Sequence, residues 1–217
     1  MKSNKLFFLG GGGFATELYE YMLSDGIAVS GYYSREDNAA LSKYIPWKGD
    51  IEKCTPEEID KDAQYIVAVR LLKYREKMFD IIAEKGLIAG SYISKKAYFS
   101  KLASLGKGAV VFPFAMVSGD AKAGDFLFMD TYSIISHGDM IGNNVVVGPA
   151  AVITGDCVIG NNVTFGVNSA VLPGTKIGDN TEIAINTYPQ RRVAANSRII
   201  SLPGKNFGVD LNKNFKK

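Results

Sequence analysis

Two hydrophobic rhythms run along this chain. From Leu105 to Ile183 an apolar residue returns at every sixth position, through Val111, Val117, Met129, Ile135, Ile153 and Phe165. Four positions after each stands a residue that is nearly always small, such as Ala109, Ala115, Cys157, Ser169 or Thr175. A hexapeptide period is the signature of a parallel β-helix, in which the aliphatic points inward and the small residue lets the chain turn. A longer period lies on top: AGDF at 123, IGNN at 141 and 159, and IGDN at 177 recur every 18 residues. Gly followed by Asn or Asp suits a tight corner, because these residues tolerate positive φ. Three hexads per coil predict a triangular prism, in unbroken register from 105 to 188.

The first part of the chain alternates strand and helix instead. KLFFLG (5–10) reads as a strand ending in four glycines, and FATELYEYMLS then places Phe14, Leu18, Tyr21 and Met22 at helical spacing. AVSGYY (28–33) and QYIVAVR (64–70) read as further strands, KYREKMFDIIAEKG (73–86) as a helix stopped by Gly86, and LIAGSYI (87–93) as a fourth strand. This order predicts a small parallel α/β unit, Rossmann-like but about half the size of a full dinucleotide fold. The domains expected are an α/β unit at 1–95, a β-helix at 96–188 and a tail at 189–217.

Composition narrows the function. With 25 basic and 22 acidic residues the net charge is +3, too balanced to argue for nucleic acid or a membrane surface. No run is long and apolar enough to span a bilayer, and MKSNKLFFLGGGG is too short and too glycine-broken for a signal peptide. Cys54 and Cys157 form no C-x-x-C pair, so neither a disulfide framework nor a thiolate metal site is expected. These features point to a cytoplasmic protein.

The 217 residues hold a single histidine, His137, in SIISHGDMIGNN. It is the third residue of the hexad that begins at Ile135, so its side chain should leave the prism. A lone outward histidine is ordinarily a solvated surface residue. Here, however, the residue one coil above is Gly155. Neighbouring rungs lie about 4.8 Å apart, so the imidazole would stack beneath an unobstructed backbone N–H. A base beside a free N–H is the pair that acyl transfer needs, one to take a proton and one to meet the oxyanion.

A histidine just before such a corner resembles the left-handed β-helix acyltransferases. FFLGGGGFATE, YIVAVRLLKYREKM and GDCVIGNNVTFGVNSAVLPGTKIGDN resemble more closely the two-domain nucleotide-sugar N-acetyltransferases and their sialic acid O-acetyltransferase relatives, over essentially the whole length. That resemblance implies acetyl-CoA as acyl donor, a nucleotide-linked amino sugar as acceptor, His137 as general base and the Gly155 N–H at the thioester oxygen. It also implies a homotrimer with active sites between prisms. Phe126, Phe128 and Tyr132, apolar beyond the inward pattern, are outer residues that such an assembly would cover.

Several positions depart from the family. Its members usually carry an acid directly after the histidine to orient the ring, and here Gly138 follows. Asp139 comes next, on an inward position, where two readings stand open: it bends back to orient His137, or it is a structural acid bonded to corner amides. Asp130 stands where relatives tend to have Asn, and Val146 where some have a second histidine. The loop Gly10-Gly11-Gly12-Gly13 opens a helix after a strand, but a dinucleotide site needs an acid about 20 residues on. Tyr32 and Tyr33 stand there, which argues against NAD. The family places the nucleotide end of its substrate at this loop, so Gly10, Gly12, Gly13 and Tyr33 are candidate substrate-binding residues; the alternative is a turn with no ligand. Arg70, at a strand end where relatives have Gly-Asn, and Asp130 join that set. Lys205, in SLPGKNF, is expected at the CoA phosphates.

The competing readings are an O-acetyltransferase of a sialic-acid-like sugar and a non-catalytic β-helix binding subunit, which the glycine at 138 favours. A β-helix carbonic anhydrase needs three histidines around zinc, two from one chain, and this chain has one. No metal is expected.

Overall fold

The computed structural model describes residues 5–201. Strand β1 (Leu6–Leu9) leads through the glycine loop into helix α1 (Gly13–Ser24), then β2 (Gly31–Tyr33), β3 (Gln64–Val67), helix α2 (Leu72–Glu84) and β4 (Ile88–Ala89). All four strands are parallel, in the order β2-β1-β3-β4. Alternation along the strands sends Phe8 and Ile66 to the α1 side and Phe7, Leu9, Tyr65 and Val67 to the α2 side, where Ile81 and Ile82 meet them. Gly86 closes α2 with a φ of 63°. The segment expected as a fourth strand is divided. Only Ile88–Ala89 joins this sheet, while Tyr92–Ile93 is already the first rung of the prism and pairs with Val110–Val111.

The rest of the described chain is a left-handed parallel β-helix with three sheets of six, seven and five two-residue strands. Partners on adjacent coils are 18 residues apart, as in Ile134↔Val152 and Ile135↔Ile153. Every inward position from Val111 to Ile183 packs into one apolar core, and all the small positions from Ala109 to Thr187 are buried. The corner three residues after each inward position takes positive φ at most coils, often at Asn or Gly, as at Asn144, Asn162, Asn180 and Gly138. The Asn amides at one corner form a ladder, Asn144 to Asn162 at 2.9 Å, then to Asn180 and Asn196 at 3.1 Å each. The hexad register continues back to Ile93 and Phe99, and two further rungs, Arg192–Val193 and Arg198–Ile199, follow residue 188 out of that register. It loses two residues at the last coil, where Lys176 pairs with Arg192, and the five-stranded face ends at Ala170–Val171.

The α/β unit rests on the seven-stranded face. Phe112, Phe128 and Val146 of the prism share a core with Phe8, Leu18 and Tyr32. Phe14 stacks on Phe112, with centroids 5.5 Å apart, and meets Phe128 edge-on. Phe126 stacks on Phe79 of α2 at 3.8 Å. So Phe126 and Phe128 are covered by the chain's own first unit, not left for a neighbouring prism; of the three outer aromatics, only Tyr132 is exposed, stacked on Phe114 at 5.2 Å. Arg75 fastens the two parts. It is fully buried, donating to Asn144 Oδ1 at 2.9 Å, Val69 O at 3.1 Å and Phe126 O at 2.5 Å. With no carboxylate beside it, burial pulls its guanidinium down to about 9.

Candidate functional site

His137 sits at the corner that follows the rung Ile134–Ile135, and its side chain is 69% exposed, open to an incoming substrate. Glycines bracket it along the prism axis. A Cβ on Gly119, below, would lie 2.6 Å from His137 Cβ; one on Gly155, above, would lie 2.6 Å from Nε2 and 2.9 Å from Nδ1. The imidazole therefore occupies the space that a side chain at 155 would take, as the 18-residue period predicts. Among the described residues, no acceptor takes the Gly155 N–H. A buried N–H is ordinarily paired, so this donor is free for a ligand oxygen.

Three carboxylates surround this corner. Asp120 Oδ1 accepts the Gly138 N–H at 2.9 Å, and that amide is the main cause holding its carboxyl below the usual range. Asp139 is fully buried; Oδ2 accepts the Ser136 N–H at 2.8 Å and Oδ1 the Cys157 N–H at 2.9 Å. Its oxygens thus hold the corner amides on either side of His137. Burial pushes this carboxyl up to about 6 from 3.8, against the pull of both amides. Asp156, which sequence reasoning passed over, is the acid that faces the ring, with Oδ1 3.9 Å from His137 Nδ1.

Asp139→Asn is expected to test the structural role. An amide keeps one acceptor and turns an N–H toward the other backbone N–H, which costs about 1–3 kcal/mol. The melting temperature should fall by about 3–10 °C with kcat nearly intact. A native carboxyl raised from 3.8 to about 6 takes up a proton on folding, so its contribution to stability falls as pH rises from about 4 to about 6. That slope should vanish in the variant. A large loss of kcat at unchanged melting temperature would reverse the assignment.

The other candidates gather elsewhere. Gly10, at φ 120°, packs so closely that a Cβ would lie 2.6 Å from Ala68 O. Gly12 and Gly13 face open space at the start of α1, whose first amides have no side-chain cap. Gly10, Gly11 and Tyr33 line a cavity of about 230 Å³ together with Arg35, Glu52 and Lys77. Glu52 pairs with both Lys77 and Arg35. Nothing in the sequence pattern marked Glu52 or Lys77, because the fold alone brings 52 and 77 together. Arg70 and Asp130 do meet: Nη1 lies 3.3 Å from Oδ2 of the buried carboxylate, whose Oδ1 accepts the Thr131 N–H at 2.8 Å. Burial raises the Asp130 carboxyl. Arg70 also lines a cleft with Gly148, Thr164 and Gly166. Asp130 and His137 stand at different corners of the prism, one face apart. Lys205 lies outside the described residues. No group of three metal-ligating side chains occurs among the described residues, and no helix there is long and apolar enough to cross a membrane.

Residues 156–187 match the sequence pattern of the bacterial transferase hexapeptide family (six repeats). No curated protein matches by sequence. Among solved structures, the chain is similar to a mutant of perosamine N-acetyltransferase from Caulobacter crescentus, in complex with CoA and GDP-perosamine, at 23% identity over 94% of this chain and 97% of that one, with a TM-score of 0.82. It is similar to the acetyltransferase domain of PglB from Neisseria gonorrhoeae, in complex with acetyl coenzyme A, at 20% identity over 90% and 95%, with a TM-score of 0.81. WeeI from Acinetobacter baumannii superposes at 0.80, with 18% identity over 91% and 97%. At these identities the likeness is one of fold, and it spans both the α/β unit and the prism.

Proposed function

We propose that this chain is an acetyl-CoA-dependent N-acetyltransferase acting on the amino group of a nucleotide-linked amino sugar. The observation that carries the reading is the imidazole of His137 lying against Gly155, whose N–H is unpaired among the described residues. An ammonium group is no nucleophile, and a histidine can hold the acceptor as a free amine and take its proton. The Gly155 N–H then meets the negative charge that develops on the acyl oxygen. Acetyl-CoA supplies the acetyl thioester. The solved relatives that share this two-part fold were crystallised with acetyl coenzyme A, or with CoA and GDP-perosamine, which supports both substrate classes here.

In this reading the α/β unit, which ends at Ile88–Ala89, is a Rossmann-like holder of the nucleotide sugar. The exposed amides at the start of α1 suit a diphosphate, and the cavity bounded by Gly10, Gly11, Tyr33 and Lys77 takes the nucleoside. The prism, whose rungs run from Tyr92–Ile93 to Arg198–Ile199, carries the chemistry. Arg70 and Asp130 serve the acceptor side at the corner that a neighbouring prism would bring to His137. The protein is then a cytoplasmic homotrimer, with the exposed Phe114–Tyr132 stack and Leu172 and Ile185 covered by the next subunit. Sedimentation at micromolar concentration should give three times the chain mass; a monomer would remove the shared site. Turnover of acetyl-CoA with a panel of UDP-, dTDP- and GDP-linked amino sugars tests the activity. Acetylation of a hydroxyl instead of an amine would favour the O-acetyltransferase reading, and no turnover with any sugar would leave a binding subunit.

A further inference from the structure

We propose that Asp156 is the positioning residue for His137, holding the Nδ1–H so that Nε2 presents its lone pair to the acceptor. This rests on the reading of His137 as general base. A neutral imidazole is a useful base only if its other nitrogen is fixed as the donor, which needs an acceptor on that side. Each of the other two acids at the corner already has an oxygen on a backbone amide: Asp120 on Gly138, and Asp139 on Ser136 and Cys157. The Asp156 carboxylate alone lies in ion-pair range of the ring, and on its Nδ1 side. Nε2 is the nitrogen nearer to Gly155, at 2.6 Å from a Cβ placed there against 2.9 Å for Nδ1.

The backbone sets this acid in register with the base. Asp156 stands one coil above Gly138, and its own N–H donates to His137 O at 3.0 Å. Its φ of 63° belongs to the corner pattern. A Cβ built on Gly138 would run into Asp156 Oδ1. Glycine at 138 and aspartate at 156 are therefore one arrangement: the carboxylate that could follow the histidine in sequence is instead delivered from the coil above, into the space that glycine leaves. At 3.9 Å the contact is longer than a hydrogen bond. Catalytic contacts are often long without substrate and tighten in the complex, and a carboxylate that is 73% exposed is free to rotate onto the ring.

The single histidine makes the test direct. Nitrogen-15 NMR of the neutral ring reports which nitrogen carries the proton, with no assignment needed and no turnover required. The wild type should be mainly the Nδ1–H form. Asp156→Ala should shift the ring toward the Nε2–H form, lower kcat by about ten- to a hundredfold and leave both KM values unchanged. Alanine suits that corner, since Ala150 occupies the equivalent place at φ 54°. Should the alanine variant fail to fold, Asp156→Gly, which removes the acceptor and suits positive φ as Gly174 does one coil above at 72°, carries the same measurement. An unchanged tautomer ratio overturns the proposal even if kcat falls, and so does full kcat in the variant. If His137→Asn keeps full activity, the acetyltransfer reading fails instead; that result is distinct, because the tautomer ratio is read without catalysis.

Discussion

Replacing His137 by asparagine should lower kcat about 10²- to 10⁴-fold, the usual cost of losing a general base, while the protein stays folded. The stability expectation follows from where the side chain goes. It leaves the prism, is 69% exposed, makes no hydrogen bond with the described residues and fills no part of the core. Surface changes of that kind ordinarily alter stability by about 0.5 kcal/mol or less. Asparagine can neither take a proton at neutral pH nor present an imidazole edge to the acceptor, so the loss should fall on kcat more than on either KM. Steady-state kinetics beside a thermal melt measure both. Near-full activity in the variant would end the case for His137 as the base and for acetyltransfer by this corner.

How much of this was legible in the sequence depended on whether the residues involved share the helical clock. The inward and small positions of the prism could be read because a period of six repeats fourteen times, and one inference about burial then holds for all of them. The stacking of His137 on Gly155 followed from the 18-residue period in the same way. Asp156 obeys that rule too, standing 18 residues beyond Gly138. It was passed over because the acid was sought next to the histidine along the chain, not one coil away. The role of Asp139 could not be settled from sequence, since an inward acid satisfied by amides and one turned toward the ring share the same pattern; the contacts to Ser136 and Cys157 distinguish them.

What the period could not give was anything between the two parts. Phe126 and Phe128 read as outer residues awaiting a neighbouring subunit, yet Phe79, Phe14 and the α1 face cover them. Nothing in a β-helix pattern says which face a preceding domain will occupy. Arg75, within the helix read at 73–86, is fully buried, with donors on a prism corner that the helical pattern does not mark. The Arg70–Asp130 pair and the cavity shared by Glu52 and Lys77 are likewise products of long-range packing. Strand ends also escaped: the chain passes from the α/β sheet at Ile88–Ala89 to the prism at Tyr92–Ile93 within a segment whose hydrophobicity is continuous.

Gly155→Ala should be the second most damaging change to activity, at almost no cost in stability. Its φ is outside the left-handed range, so alanine meets no backbone strain. The new Cβ would lie 2.6 Å from Nε2 of His137, well inside contact distance, and its three nearest atoms are all in that one side chain. An exposed imidazole can swing away, so the fold should survive and the melting temperature should stay within about 2 °C. The base would then be displaced by about 1 Å from the line to its substrate, and misplacement on that scale can cost about a hundredfold in rate. Gly142 makes the contrast. There a Cβ would lie 2.6 Å from Gly160 O, a backbone atom that cannot swing aside, so Gly142→Ala should lose stability instead. If Gly155→Ala retains full kcat, the ring does not work from beneath that residue. If it unfolds as Gly142→Ala does, the glycine is there for packing alone. The expected result, a folded protein with kcat lowered about a hundredfold, would tie the rate to the close approach of one ring to one glycine.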